Sequence, residues 1–146
     1  FFLMIRRPPR STTLYSSAAS DVYNRHVNMS QYRKGYLFEK KTHLEIAQIV
    51  SGYKNIKFYG IESRGSKGAA DLVFGFYDLN GKKRTWIGVQ CKRGYVSKPE
   101  KAREVKSAMR KYGMIMFYST PKKEKKTEIE FYPDFRNWLD KWIESN

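Results

Sequence analysis

The chain has 146 residues, long enough for one compact domain and too short for two ordinary ones. Its 29 Lys+Arg against 14 Asp+Glu give a formal +15 spread along the whole length, so polyanions are the expected partners. A single cysteine excludes an internal disulfide framework and a cysteine-built zinc site, two isolated histidines exclude a histidine cluster, and no apolar stretch approaches the ~20 residues of a membrane-spanning helix.

Simple solubility, or packing against structural RNA, would also account for the charge, but nucleic acid is the partner we expect. The lone thiol fits an intracellular, reducing compartment, so a cytoplasmic location with no membrane contact is expected, nucleoid-associated if DNA is the partner.

The opening "FFLMIRRPPRSTTLYSSAASD" starts on Phe and runs through Pro8-Pro9 into a Ser/Thr/Ala-rich stretch with neither helical nor strand period. Its apolar piece is too short for a signal-peptide core, and its arginines follow that piece instead of preceding it. It resembles adapter read-through upstream of a natural start at Met29; the alternative is a disordered basic arm. Residues 1–30 are therefore set apart as disordered or non-native, and 31–146 as the domain.

From Gly35 to about Ser51 the period is helical, with Phe38, Ile46, Ile49 and Val50 on one arc and Leu37, Leu44 and Ala47 on a neighbouring one. Glu39 projects from the apolar arc. Either helix rotation or a lysine satisfies it, or it serves a metal or a water network, because a bare buried carboxylate is costly. "NIKFYGIES" reads as a strand with Ile56, Phe58 and Gly60 on one face. Then comes "GIESRGSKGAADLVFGF", in which small residues end at one acid, Asp71, joined to the apolar run of a second strand. Asn80-Gly81 reads as a tight hairpin turn, both residues tolerating positive φ, and "KRTWIGVQCKRG" as the returning strand.

Ser97-Lys98-Pro99-Glu100 has capping-box spacing before a helix carrying Ala102, Val105, Met109 and Tyr112 at helical intervals. "GMIMFYST" reads as a central strand and "TEIEFY" as a half-exposed one. Phe135, Trp138, Leu139 and Trp142 mark a closing amphipathic helix after Pro133. The order helix, three strands, helix, two strands, helix indicates an α/β sandwich around a mixed sheet.

The hairpin gathers chemistry at one end of that sheet. Asp71 lies nine residues before Asn80 and Gln90 nine after Gly81, so the two should be neighbours across the pair. Gln90 and Lys92 share a face, and Cys91 points away. Taken singly, each residue has an ordinary reading. Asp71 could cap a turn, Lys92 could be a solvated strand end, and Ser66 a turn residue. His43 reads as a surface helix residue, Cys91 as a core thiol, and Trp138 and Trp142 as core or dimer-interface packing.

Together, "RKGYLFEKK", "ESRGSKGAADLVFG" and "WIGVQCKRG" resemble the three core motifs of the PD-(D/E)xK nuclease superfamily. They are most similar to its archaeal Holliday-junction resolvase branch, over roughly Tyr32 to Tyr118. The resemblance implies a restriction-endonuclease-like mixed sheet flanked by helices, with an α-β-β-β-α-β core. It also implies a metal-dependent endonuclease acting on branched or duplex DNA, with Mg²⁺, or Mn²⁺ in its place, as cofactor. Asp71, Gln90 and the Cys91 backbone carbonyl would hold the metal, with Glu39 reaching it through a water. Lys92 would orient the attacking water and meet charge developing on the scissile phosphate. Arg33, Lys34, Arg64, Ser66, Lys67 and Arg93 would contact DNA, and Gly65 and Gly68 would let the strand approach. The branch works as homodimers; here "GMIMFYST" or the last helix would supply the interface. Two positions depart from the motifs: Ala70 replaces the naming proline, and Gln90 replaces an acid, which lowers the charge of the ligand set. A non-catalytic nucleic-acid-binding module on a decayed nuclease fold is therefore the alternative, and an RNA-processing enzyme a third.

Overall fold

The computed structural model describes residues 31–62 and 70–145. Residues 1–30 lie outside it, as do residues 63–69 with Arg64, Ser66 and Lys67. The chain divides into two compact units, Phe1–Tyr36 and Leu37–Asn146. Of the first unit, residues 31–36 are helical, with Arg33 and Lys34 exposed.

Helix α1 occupies residues 31–51, so it is already helical before the Gly35 at which the apolar period begins. Its Gly52 N–H bonds back to the Ile49 carbonyl at 3.2 Å, closing the last turn. Phe38, Thr42, Ile46, Ile49 and Val50 are buried, whereas Leu37 and Leu44 face solvent. The second apolar arc is thus an exposed flank, and the buried stripe is the i, i+4 row centred on Ile46.

Five strands follow the alternation of their side chains: β1 (Ile56–Glu62), β2 (Leu72–Asp78), β3 (Lys83–Cys91), β4 (Ile115–Pro121) and β5 (Ile129–Tyr132). They pair in the order β1-β2-β3-β4-β5, antiparallel except for β3–β4, which run parallel. The parallel step is made by the crossover helix α2 (Lys98–Tyr112), and α3 (Phe135–Glu144) closes the chain. The molecule is accordingly a mixed α/β fold with a five-stranded mixed sheet flanked by helices.

Leu72, Phe74 and Phe76 of β2, with Ile87 and Val89 of β3 and Phe117 of β4, bury one sheet face against Ile46 and Val50 of α1 and Phe135 and Leu139 of α3. Aromatic rings finish this core: Phe135 lies 5.6 Å from Phe117 and 5.9 Å from Phe76, and Trp138 stacks on it. Trp138 and Trp142 are therefore core-packing residues. On the other face a smaller cluster of Ala70, Val105, Met116 and Tyr118 lies under α2.

Three expectations change. The β2–β3 turn is a four-residue loop, since Asp78 pairs with Lys83. Within it Lys82, not Asn80 or Gly81, takes positive φ (52°), and the Asn80 N–H donates to Asp78 Oδ1 at 3.0 Å. The loop has the same centre as the expected turn, so the register is unaffected. On α2, Met109 and Tyr112 are exposed; Val105 and Ala108 pack instead, beside a Lys101 that is only 6% exposed. That lysine is satisfied by Thr120 Oγ1 at 2.9 Å and Glu130 at 3.5 Å. Finally, β4 pairs on both sides, with β3 and β5, so it offers no free edge for a dimer contact. Among the described residues no helix is long and apolar enough to cross a membrane.

Candidate functional site

Asp71 sits one residue before β2. Its N–H donates to the Val89 carbonyl at 3.0 Å, and its Oδ2 accepts the Cys91 N–H at 2.8 Å. The carboxylate thus acts as one more rung of the β2–β3 ladder, which fixes it at the end of the sheet and leaves Oδ1 for another partner. The last backbone pair, Leu72 with Val89, makes Asp71 and Gln90 the next opposing positions. This is the juxtaposition that the hairpin arithmetic expects.

The other side of β3 is pinned as well, because the Lys92 N–H donates to the Ser119 carbonyl at 3.0 Å. Alternation then divides the segment. Cys91 packs with the main core, while Gln90 and Lys92 line a cavity of about 320 Å³ with Glu104, Val105, Ala108, Met116, Phe117 and Tyr118. Burial pushes the Cys91 thiol up to about 12; a hydrogen bond with Thr42 opposes this, and the Asp71 and Glu39 charges add to it. Such a thiol stays protonated at neutral pH, so the side chain is a core group and only its backbone belongs to the site.

Glu39 brings α1 into the constellation. It is half-buried, and its carboxyl is held above its ordinary value first by burial, then by the negative charges of Asp71 and Glu62. Helix rotation has not carried it fully into solvent. Glu39 on α1 therefore feels the acids of β1 and of the start of β2 at this end of the sheet.

Two of the residues here escape a motif-centred reading. Glu62 lies 3.5 Å from Lys40 Nζ and 3.6 Å from His43 Nδ1. Its signal was the period of two in β1, which continues from Ile56, Phe58 and Gly60 to Glu62 on the side facing α1. His43 is consequently half-buried, not a surface residue; its ring meets Phe74 edge-on at 5.1 Å. A Cβ on Gly60 would come within 2.8 Å of the imidazole, so a glycine there makes room for it. Glu104 accepts the Tyr118 hydroxyl and walls the cavity opposite Gln90. Its position three residues after Lys101 and four before Ala108 places it on the sheet-facing stripe of α2.

Arg93 follows Lys92 and is exposed. The structure thus brings Asp71, Gln90, Cys91, Lys92 and Glu39 to one end of the sheet.

Among the described residues no group of three or more His, Cys, Asp or Glu is gathered to hold a metal by itself. The available donors are two carboxylates, an amide oxygen and a peptide carbonyl, all hard oxygens. That set fits Mg²⁺, which keeps much of its water and takes one or two carboxylates plus substrate phosphate. A cation held by Asp71 would also relieve the repulsion that the Asp71 charge exerts on Glu39. Comparison with protein-family profiles, curated proteins and solved structures finds no match for this chain.

Proposed function

We propose that the chain is a metal-dependent DNA endonuclease of restriction-endonuclease-like fold, resembling Holliday-junction resolvases and acting on branched or duplex DNA as a homodimer. The observation that carries the reading is the Asp71 carboxylate locked to the Cys91 N–H beside Gln90 and Lys92, with Glu39 close enough to perturb. An acid, an amide, a carbonyl and an ammonium at one sheet end, on a body of net charge +15, support a phosphodiester as the substrate.

Mg²⁺, held by Asp71, Gln90 Oε1 and the Cys91 carbonyl and reached by Glu39 through water, would supply positive charge beside the scissile phosphate and acidify a water. The chain's own groups do the rest. The Lys92 ammonium meets the charge that gathers on the phosphate oxygens in the transition state and orients the attacking water. Glu39, once ionised, accepts a hydrogen bond from that water. The ladder bond from Cys91 prevents Asp71 from swinging away as the negative substrate arrives.

Gln90 favours a second reading, a binding module that retains the fold without turnover, because the amide contributes no charge to the ligand set. Digestion of junction, flap, duplex and single-strand substrates with Mg²⁺ or Mn²⁺ separates the two. The nuclease reading expects cutting by the parent chain that Lys92→Ala removes. Salt-sensitive binding with no product under either metal, and cutting that emerges only in Gln90→Glu, would favour the module.

A further inference from the structure

The sheet face that carries Gln90 and Lys92 is covered by α2 around Ala70, Val73, Met116 and Tyr118. Toward β1 it exposes aromatic and basic residues in two cross-strand rows. One row is Tyr59, Gly75 and Trp86, and the next is Lys57, Tyr77 and Arg84. Tyr59 is 67% exposed and Trp86 51%. These residues border a groove of about 240 Å³.

Gly75 explains how the indole lies. A Cβ there would come within 2.8 Å of the six-membered ring of Trp86, so only glycine lets that ring rest over the middle strand. The Arg84 guanidinium stands 5.1 Å above the Tyr77 ring. No acidic side chain alternates onto this face within the three strands.

Broad aromatic surface interleaved with cations and free of acids is the chemistry of unpaired nucleotides. Bases stack on the rings, and phosphates meet the lysine and arginine. A duplex keeps its base faces internal and has no use for exposed rings. A second copy of the chain docked on this face would have to strip water from the exposed Lys57 and Arg84 with no acid on the face to pair them.

We propose that this face is a stacking platform for single-stranded nucleic acid, with bases on Trp86 and Tyr59 and phosphates on Lys57 and Arg84. Trp86 and Gln90 are four residues apart on one strand face, ~13 Å at strand spacing. An unpaired strand on the platform therefore runs toward the Asp71–Lys92 end. Binding there does not depend on cleavage, so the two proposals fail separately.

The test is fluorescence anisotropy of the full chain with a labelled oligothymidylate and a duplex of equal length, in EDTA so that cutting plays no part. Trp86→Ala and Tyr59→Ala should each weaken single-strand binding by ~5- to 100-fold. Trp86→Phe should retain most of the affinity, and duplex binding should stay within about twofold of the parent, the scale of a contact carrying little energy. Thermal melts establish that the variants fold, and Tyr59→Ala stands alone if Trp86→Ala does not. Folded variants that bind the oligonucleotide as the parent does would overturn the proposal. So would a parent dimer, seen by sedimentation, that either substitution converts to monomer.

Discussion

Glu39 holds its proton more tightly in the folded chain than in the unfolded one, because burial and the Asp71 and Glu62 charges all disfavour the carboxylate. A native state that binds more protons than the unfolded state loses stability as pH rises from the ordinary glutamate range through the raised value. Above that value the cost is fully present; well below the ordinary value it vanishes. Glu39→Gln should therefore raise Tm at neutral pH, and the gain should shrink toward zero as both chains are melted at pH below about 4, where free glutamate is protonated. The same substitution should slow cutting, since a neutral amide is a poorer acceptor for the attacking water. The two outcomes together would mark Glu39 as a functional carboxylate.

At the scale of elements, α3 seals the main core through Phe135, which is 1% exposed and within 6 Å of Phe76, Phe117, Phe131 and Trp138. Phe135→Ala should cost about 3–5 kcal/mol, the scale for truncating a buried aromatic, measured as a shift in denaturant midpoint. The elements themselves were legible because their periods are strong: two in the hairpin strands, four in α1, and a Ser97 cap at the start of α2 that accepts the Glu100 N–H. The Asn80-Gly81 turn misled in its type because Asp78, buried at 2%, captures the Asn80 N–H and widens the loop. Met109 and Tyr112 misled because α2 meets the sheet over a narrow stripe, where Ala108 and the stem of Lys101 fill the space that bulky side chains would overfill. Glu104 left no motif at all; its partner, Tyr118, is distant in sequence and reaches it only through the fold.

For the whole molecule, the excess of basic residues sets how binding responds to salt. If DNA affinity comes from phosphate contacts, log K should fall linearly with log salt, and Arg93→Gln should flatten the slope by about one ion. Charge was legible from composition alone, whereas its arrangement was not. The division of one sheet face into an α2-covered half and an open aromatic half follows from where the crossover helix lands, which no local pattern encodes. The gathering of Asp71 with Gln90 and Lys92 was legible, because hairpin register follows from counting residues.

Asp71→Asn is the sharpest probe of that gathering, since an amide oxygen can still accept the Cys91 N–H and preserve the ladder while the charge is lost. The initial rate of cutting of a four-way or flapped duplex in Mg²⁺, compared between the parent and this variant, should fall by ~100-fold or more with DNA affinity and Tm little changed. Equal rates in the two proteins would contradict the account.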